Sequence, residues 1–183
     1  PGDVLVITKP LGTGLITTGI KRGVVAQEVR NTAVETMVRL NSGAAKASRR
    51  VGAHAATDVT GFGLLGHLGE MIRGSGVSAE VEFAAVPQLA GALELAAGNV
   101  VPGGTERNLA AVDRYVRFGE LDRSGRLLLA DAQTSGGLLI AIEAPLANAL
   151  LQALEDEGES GVAIGRVVER DFADGPTGVI SVV

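Results

Sequence analysis

The segment Thr57-Asp58-Val59-Thr60-Gly61-Phe62-Gly63-Leu64-Leu65-Gly66-His67 gathers one carboxylate, two hydroxyls and three glycines at a strand exit, and an apolar helical pattern follows at once. Main-chain amides bared by glycine, next to a single Asp, suit a phosphate that arrives with its metal. The amides meet the phosphate oxygens and the carboxylate takes one place in the cation's shell. The same glycines also suit a tight strand-to-helix turn that needs them for geometry alone. Two further loops carry polar groups. Pro102-Gly103-Gly104-Thr105-Glu106-Arg107-Asn108 offers glycine amides and the Arg107 charge to an anion, or is a loop with an ordinary cap at Thr105. Asp131-Ala132-Gln133-Thr134-Ser135-Gly136-Gly137 crowds small polar and amide side chains directly before an apolar run. It fits a ligand loop and an internally hydrogen-bonded turn equally well.

Gly61-x-Gly63-x-x-Gly66 matches the dinucleotide-binding fingerprint, with Glu80 or Glu82 near the place of its ribose-binding acid. That reading requires a parallel sheet with residues 77–83 beside residues 53–59. Against it stand Thr57, Asp58 and Thr60, because the first strand of such a fold is apolar up to the turn. An Asp there repels a diphosphate unless a cation lies between them. HExxH, GxSxG and GxxxxGK followed by Ser or Thr are all absent. His67 flanks an apolar helical stripe and reads as packed or half-exposed. His54 has no second ligand at a recognisable spacing.

The elements that must position these loops follow from hydrophobic period. Val4–Thr8 reads as a strand broken by Lys9-Pro10-Leu11-Gly12-Thr13-Gly14. Residues 25–41 are expected to be helical, with Val25, Val29, Ala33, Met37 and Leu40 on one face. Ser42 is expected to cap a helix reaching about Val51. Residues 53–59 form a strand, and a helix from Leu64 stops near Gly74-Ser75-Gly76. Val77, Ala79, Val81 and Phe83 alternate with polar residues, as in a half-buried strand. Helices are expected at 88–97, from Thr105 through Leu109, Val112 and Val116, and at 126–130. Leu138–Ile142 reads as a strand buried on both faces. A helix from Pro145 to Gly158 ends on Glu155-Asp156-Glu157, which opposes its dipole and predicts a weakly held last turn. Strands at 162–168 and 178–183 close the chain. Strand–helix alternation is not kept, so the expected fold is α+β, a mixed or antiparallel β-sheet with helices packed on it.

The 183 residues allow one large domain or one and a half small ones. Hydrophobic residues make up 46% and aromatics 3%, so the core is aliphatic. A net charge of −5 with no basic run argues against nucleic acid. No cysteine is present, which removes disulfides, thiolate metal sites and a thiol nucleophile from this stretch. No apolar run reaches the ~20 residues of a membrane span, and no signal-peptide pattern opens the sequence. The opening Pro1-Gly2-Asp3, without Met, leads straight into a strand and is read as the start of a fragment.

Four segments together resemble one family. "TKPLGTG" at 8–14, "ATDVTGFGLLGHLGEM" at 56–71, "VPGGTERN" at 101–108 and "DAQTSGGLL" at 131–139 are similar in content, order and spacing to the second half of selenophosphate synthetase (selenide, water dikinase). The likeness runs from about Gly2 to Val168. A more distant resemblance is to the aminoimidazole ribonucleotide synthetase superfamily, which pairs an N-terminal ATP-site domain with a C-terminal α+β domain. The resemblance implies that residues 1–14 end the ATP-site domain or its linker strand and that 15–183 form the C-terminal domain. It implies a cytoplasmic, homodimeric, Mg²⁺-assisted enzyme that makes selenophosphate, phosphate and AMP from ATP, selenide and water. The reactive Cys or selenocysteine and a Lys would lie in the N-terminal half, outside this sequence, leaving the fragment inactive alone. The family metal ligand of the TDVTG motif maps to Asp58. Thr57, Thr60, Gly61 and Gly63 would shape the loop around it, with Gly104, Thr105, Arg107 and Asn108 nearby. The family usually reads DPQTSGG where this chain has Asp131-Ala132-Gln133, a change that loosens one turn restraint. A dinucleotide module using Gly61, Gly63 and Gly66, or a non-catalytic packing domain, are the alternatives.

Overall fold

Alternation along β1 (Val4–Ile7) decides the layering: Leu5 and Ile7 join one core, Val6 the other. The computed structural model describes residues 1–171 and 178–183. Its strands are β1, β2 (Ala55–Asp58), β3 (Ser78–Val81), β4 (Val116–Arg117), β5 (Leu138–Ile142), β6 (Val162–Val168) and β7 (Ile180–Val182). They form one seven-stranded sheet in the order β2-β5-β1-β6-β3-β7-β4. Pairing is antiparallel except where β7 runs parallel to β3 and β4. The expected α+β class is what the structure has. Residues 4–7, read from sequence as a strand, form the third strand of the sheet and bond to β5 and β6.

The helices are α1 (Thr13–Lys21), α2 (Gln27–Val38), α3 (Ser42–Arg50), α4 (Gly63–Ser75), α5 (Ala92–Ala97), α6 (Gly103–Val112), α7 (Arg123–Leu129) and α8 (Ala147–Asp156). On one sheet face α1, α4, α5 and α7 bury Leu15, Ile16, Leu64, Leu65, Leu68, Ala92 and Leu127 against Leu5, Ile7, Leu139, Ala79 and Ile180. On the other face α3 and α8 bury Ala44, Ala47, Leu150 and Leu154 against Val6, Ile140 and Ile142. β5 is therefore covered on both sides, as its unbroken apolar run predicts.

Several boundaries differ from the sequence reading. Helix α1 occupies a stretch that carries no helical signal, because its first turn is Gly-rich and its caps come from elsewhere in the chain. Thr105 does not cap α6, which starts at Gly103 behind Pro102 with no side-chain cap. Ser42 opens α3 rather than capping it, and Asn41, in the cap position, bonds elsewhere. Val116 belongs to β4, not to the preceding helix. Leu40 lies beyond α2 and is 74% exposed, so the face holding Val29, Ala33 and Met37 does not include it. The acidic end of α8 is held from outside: Arg50 contacts Asp156 and donates to the Ala153 carbonyl, while Lys46 reaches Glu157. These basic groups from α3 offset the unfavourable dipole.

Candidate active-site loop

Asp58 ends β2, an edge strand whose one neighbour is β5. The carboxylate is exposed, and among the described residues no hydrogen bond or ion pair reaches it. The backbone around it is the opposite. Val59 is buried and its N–H donates to the Gly137 carbonyl at 2.8 Å. The Thr60 carbonyl accepts from Gly63 and from Gln133, both at 3.0 Å. The half-buried Asn108 amide donates to the carbonyls of Gly61 (2.8 Å) and Ala130 (3.1 Å) and so bridges two of the candidate loops. Thr60 Oγ1 lies 3.1 Å from Nε2 of His67, a buried histidine stacked at a tilt on Phe62. An anionic side chain is thus presented to solvent on main chain that is fastened from below.

The glycines of this loop serve distinct ends. Gly63 has φ +70°, and a Cβ there would lie 2.7 Å from the Ala130 carbonyl carbon and oxygen. A Cβ at Gly66 would meet Phe62 at 2.7 Å, whereas Gly61 faces open space. Close packing, more than ligand approach, therefore requires Gly63. Gly63→Ala combines a left-handed φ with a backbone clash and is expected to lower unfolding free energy by about 3 kcal/mol; urea denaturation of the 183-residue chain measures it.

The other two loops meet in a buried network. Asp131, fully buried, accepts at one oxygen from the Gly14 N–H (3.0 Å), the Leu15 N–H (3.2 Å) and the Gln133 amide (3.0 Å), and at the other from the Thr105 hydroxyl (2.7 Å). Gln133 Oε1 accepts from the N–H of Gly12 and of Thr13, both at 3.2 Å, and from the Thr13 hydroxyl at 3.0 Å. Asp131 and Gln133 thus supply to α1 the cap that Gly12, in the N-cap position, cannot provide. The amides of Gly12, Thr13 and Gly14 face these side chains and are closed to a phosphate. Burial pushes the Asp131 carboxyl up to about 6, against the pull of its four donors.

The sequence-expected residues separate accordingly. Asp58 and Gly61 are exposed, Thr57 and Thr60 half-buried, and Gly63 buried. Thr105 is buried with its hydroxyl on Asp131, so it supports the loops from beneath. Gly104 is half-buried near Ala132, and exposed Arg107 folds back toward Gly103. Lys9 was visible from sequence only as part of a strand-breaking segment. It is 2% exposed, and its ammonium donates to the carbonyls of Arg39 and Ser135. Burial first, and then the neighbouring Arg39 guanidinium, lower its pKa, with Glu159 opposing. A charged residue inside an otherwise neutral motif was the available signal. His54 stands just before β2, exposed, 2.8 Å from Asp3.

The dinucleotide reading fails on topology. β2 pairs with β5 alone, and β3 lies between β6 and β7, so the two strands that reading needs side by side are apart. The remaining question of kinship is decided by comparison with known proteins. Residues 1–174 match the family model "AIR synthase related protein, C-terminal domain". The chain belongs to this family. Among curated relatives of this AIR synthase related domain, the selenide, water dikinase of Myxococcus xanthus is 46% identical over 170 residues, 91% of this chain. That of Carboxydothermus hydrogenoformans is 44% identical over 166 residues, 90% of this chain. The chain spans 48% of the length of each of them. Solved structures repeat the fold. Thiamine-monophosphate kinase from Stenotrophomonas maltophilia superposes with a TM-score of 0.63 at 19% identity, covering 98% of this chain and 50% of that one. A hydrogenase maturation protein HypE in complex with ATP superposes at 0.61 with 20% identity, covering 100% and 48%. In this AIR synthase related domain, then, Asp58 offers the polar side chain of the 57–61 loop that has no protein partner among the described residues.

Proposed function

We propose that this chain is the C-terminal half of a selenophosphate synthetase, which makes selenophosphate, AMP and phosphate from selenide, ATP and water. The carrying observation is the Asp58 carboxylate, exposed and without a partner among the described residues on a loop anchored from beneath, in a chain 44–46% identical to selenide, water dikinases. Its role in this reading is to reach into a site whose nucleotide is held by a preceding N-terminal half. That half also brings the reactive Cys or selenocysteine and a Lys, so the 183 residues alone are inactive. The complete enzyme is a cytoplasmic homodimer.

The donor set suits Mg²⁺. Among the described residues no three of His, Cys, Asp or Glu converge to form a cage. A hard cation that takes few protein oxygens and completes its shell with phosphate and water matches one carboxylate from this side. Asp58 would hold it, and when bound it would neutralise charge on the phosphates. Asn108, Gln133 and Gly137 keep the main chain from moving as the carboxylate engages. Thr60 and His67 pin the far side of the turn.

The test is product formation by the protein carrying its upstream half. With selenide and Mg²⁺–ATP, phosphorus NMR is expected to show selenophosphate, phosphate and AMP together. ATP consumption that is independent of selenide would overturn the assignment.

A further inference from the structure

Helix α2 is covered on one side only. Ala33 and Thr36 are buried and Val29 and Met37 half-buried where it packs on α1. Val34 and Val38, one turn apart, face outward at 43% and 69% exposure, and Leu40, just past the helix, is 74% exposed. Single exposed aliphatics are ordinary, but a run of three large ones on one short stretch is what a monomeric surface usually avoids.

This strip is joined to the Asp58 loop by partly buried polar bonds. The Lys9 ammonium bridges the Arg39 carbonyl and the Ser135 carbonyl, the latter at 3.0 Å. Next to it the Asn41 amide donates to the Gly136 carbonyl at 2.8 Å. Ser135 holds a left-handed φ of 52°, which the Lys9 bond helps to fix. The turn then closes on the Asp58 loop. The Val59 N–H bonds the Gly137 carbonyl, and a Cβ on Gly136 would lie 2.1 Å from the Val59 carbonyl oxygen. The residues flanking Val38 and Leu40 are thus linked through the 135–137 turn to the strand that ends at Asp58. Phe62, 59% exposed, carries the apolar character onto the loop itself.

We infer that the strip Val34–Val38–Leu40 is the docking surface for the N-terminal half of the longer protein, which meets it with an apolar counter-face. This rests on the reading that such a half completes the site. The length of the relatives, of which this chain spans 48%, points to that occupant. A carboxylate donated from one domain to a cation held by another must be placed to within a fraction of an ångström. Contact close beside the loop gives that precision. Burying these side chains supplies the driving force without adding charge near the phosphates.

Hydroxyl-radical footprinting of the 183-residue chain and of the protein carrying its upstream half tests this. Oxidation of Val38 and Leu40 is expected to slow by about fivefold or more in the longer protein, as burial of an exposed patch requires. Val38→Glu with Leu40→Glu should leave the melting temperature of the 183-residue chain unchanged, and in the longer protein it should restore fast oxidation of Phe62 and Val34. Equal oxidation rates in the two proteins would overturn the inference. So would protection that appears in the 183-residue chain at high concentration and disappears on dilution, which would assign the strip to a second copy. Loss of the Asp58 effect on turnover with footprint protection intact would instead overturn the functional reading and leave the docking surface standing.

Discussion

Asp58→Asn in the protein carrying its upstream half is expected to lower Mg²⁺–ATP turnover by about a hundredfold or more while leaving the fold unchanged. The reason is geometric. Asp58 is exposed and has no partner among the described residues, so removing its charge leaves no buried donor stranded. The 183-residue variant should melt within about 1 °C of the parent. Asn keeps one oxygen and the size of the side chain, and loses the second oxygen and the charge with which a hard cation is held. Raising Mg²⁺ should recover part of the rate if the deficit lies in cation affinity. Steady-state kinetics across a Mg²⁺ series measures both quantities. Full turnover by the variant would remove Asp58 from the site.

A second large effect is expected at Asp131, and it concerns stability. Asp131→Ala strands the N–H groups of Gly14 and Leu15 and the Thr105 hydroxyl inside the core. The loss is expected to be about 4 kcal/mol, the scale of a broken buried charged network. Asp131→Asn should be much milder, because its oxygen can take the three donors on one side while its amide turns to the Thr105 oxygen. The same carboxylate sets a pH dependence. Its folded pKa is raised to about 6 from 3.8, so between those values the folded state keeps a proton that the unfolded state has released. Stability from this group is therefore highest below the unfolded value and falls as pH rises through the folded one. Relative to Asp131→Asn, which does not titrate, the parent chain should lose about 2 kcal/mol of unfolding free energy between pH 4 and 6.5. Urea titrations of both proteins at a series of pH values give the difference. A flat or rising difference would mean that the four donors outweigh burial.

Much of the architecture was legible in the order of residues because it depends on local period. The unbroken apolar run of β5 announced burial on both faces, and α4 ended at the glycines that its pattern suggested. Helix α1 was not legible. Its first turn is Gly-Thr-Gly, and the groups that satisfy its amides, Asp131 and Gln133, lie more than a hundred residues away. For the same reason the three polar loops could not be ranked from sequence. Each showed glycines and small polar residues, and nothing local distinguishes an amide awaiting a ligand from one already bonded to a distant carboxylate.

By itself the sequence determined the α+β class, the likeness to selenophosphate synthetases and the Asp58 motif, because these reside in hydrophobic period and in contiguous residue types. The tertiary structure alone decided which polar groups face outward. It turned the 8–14 and 131–137 motifs inward onto each other and placed Thr105 beneath them. It also tied the exposed end of α2 to the same loop through a buried Lys9. The physical reason is that hydrogen-bond satisfaction is a property of the folded chain as a whole. A donor's availability to a ligand is settled only when every nearer acceptor, however remote in sequence, has taken its place.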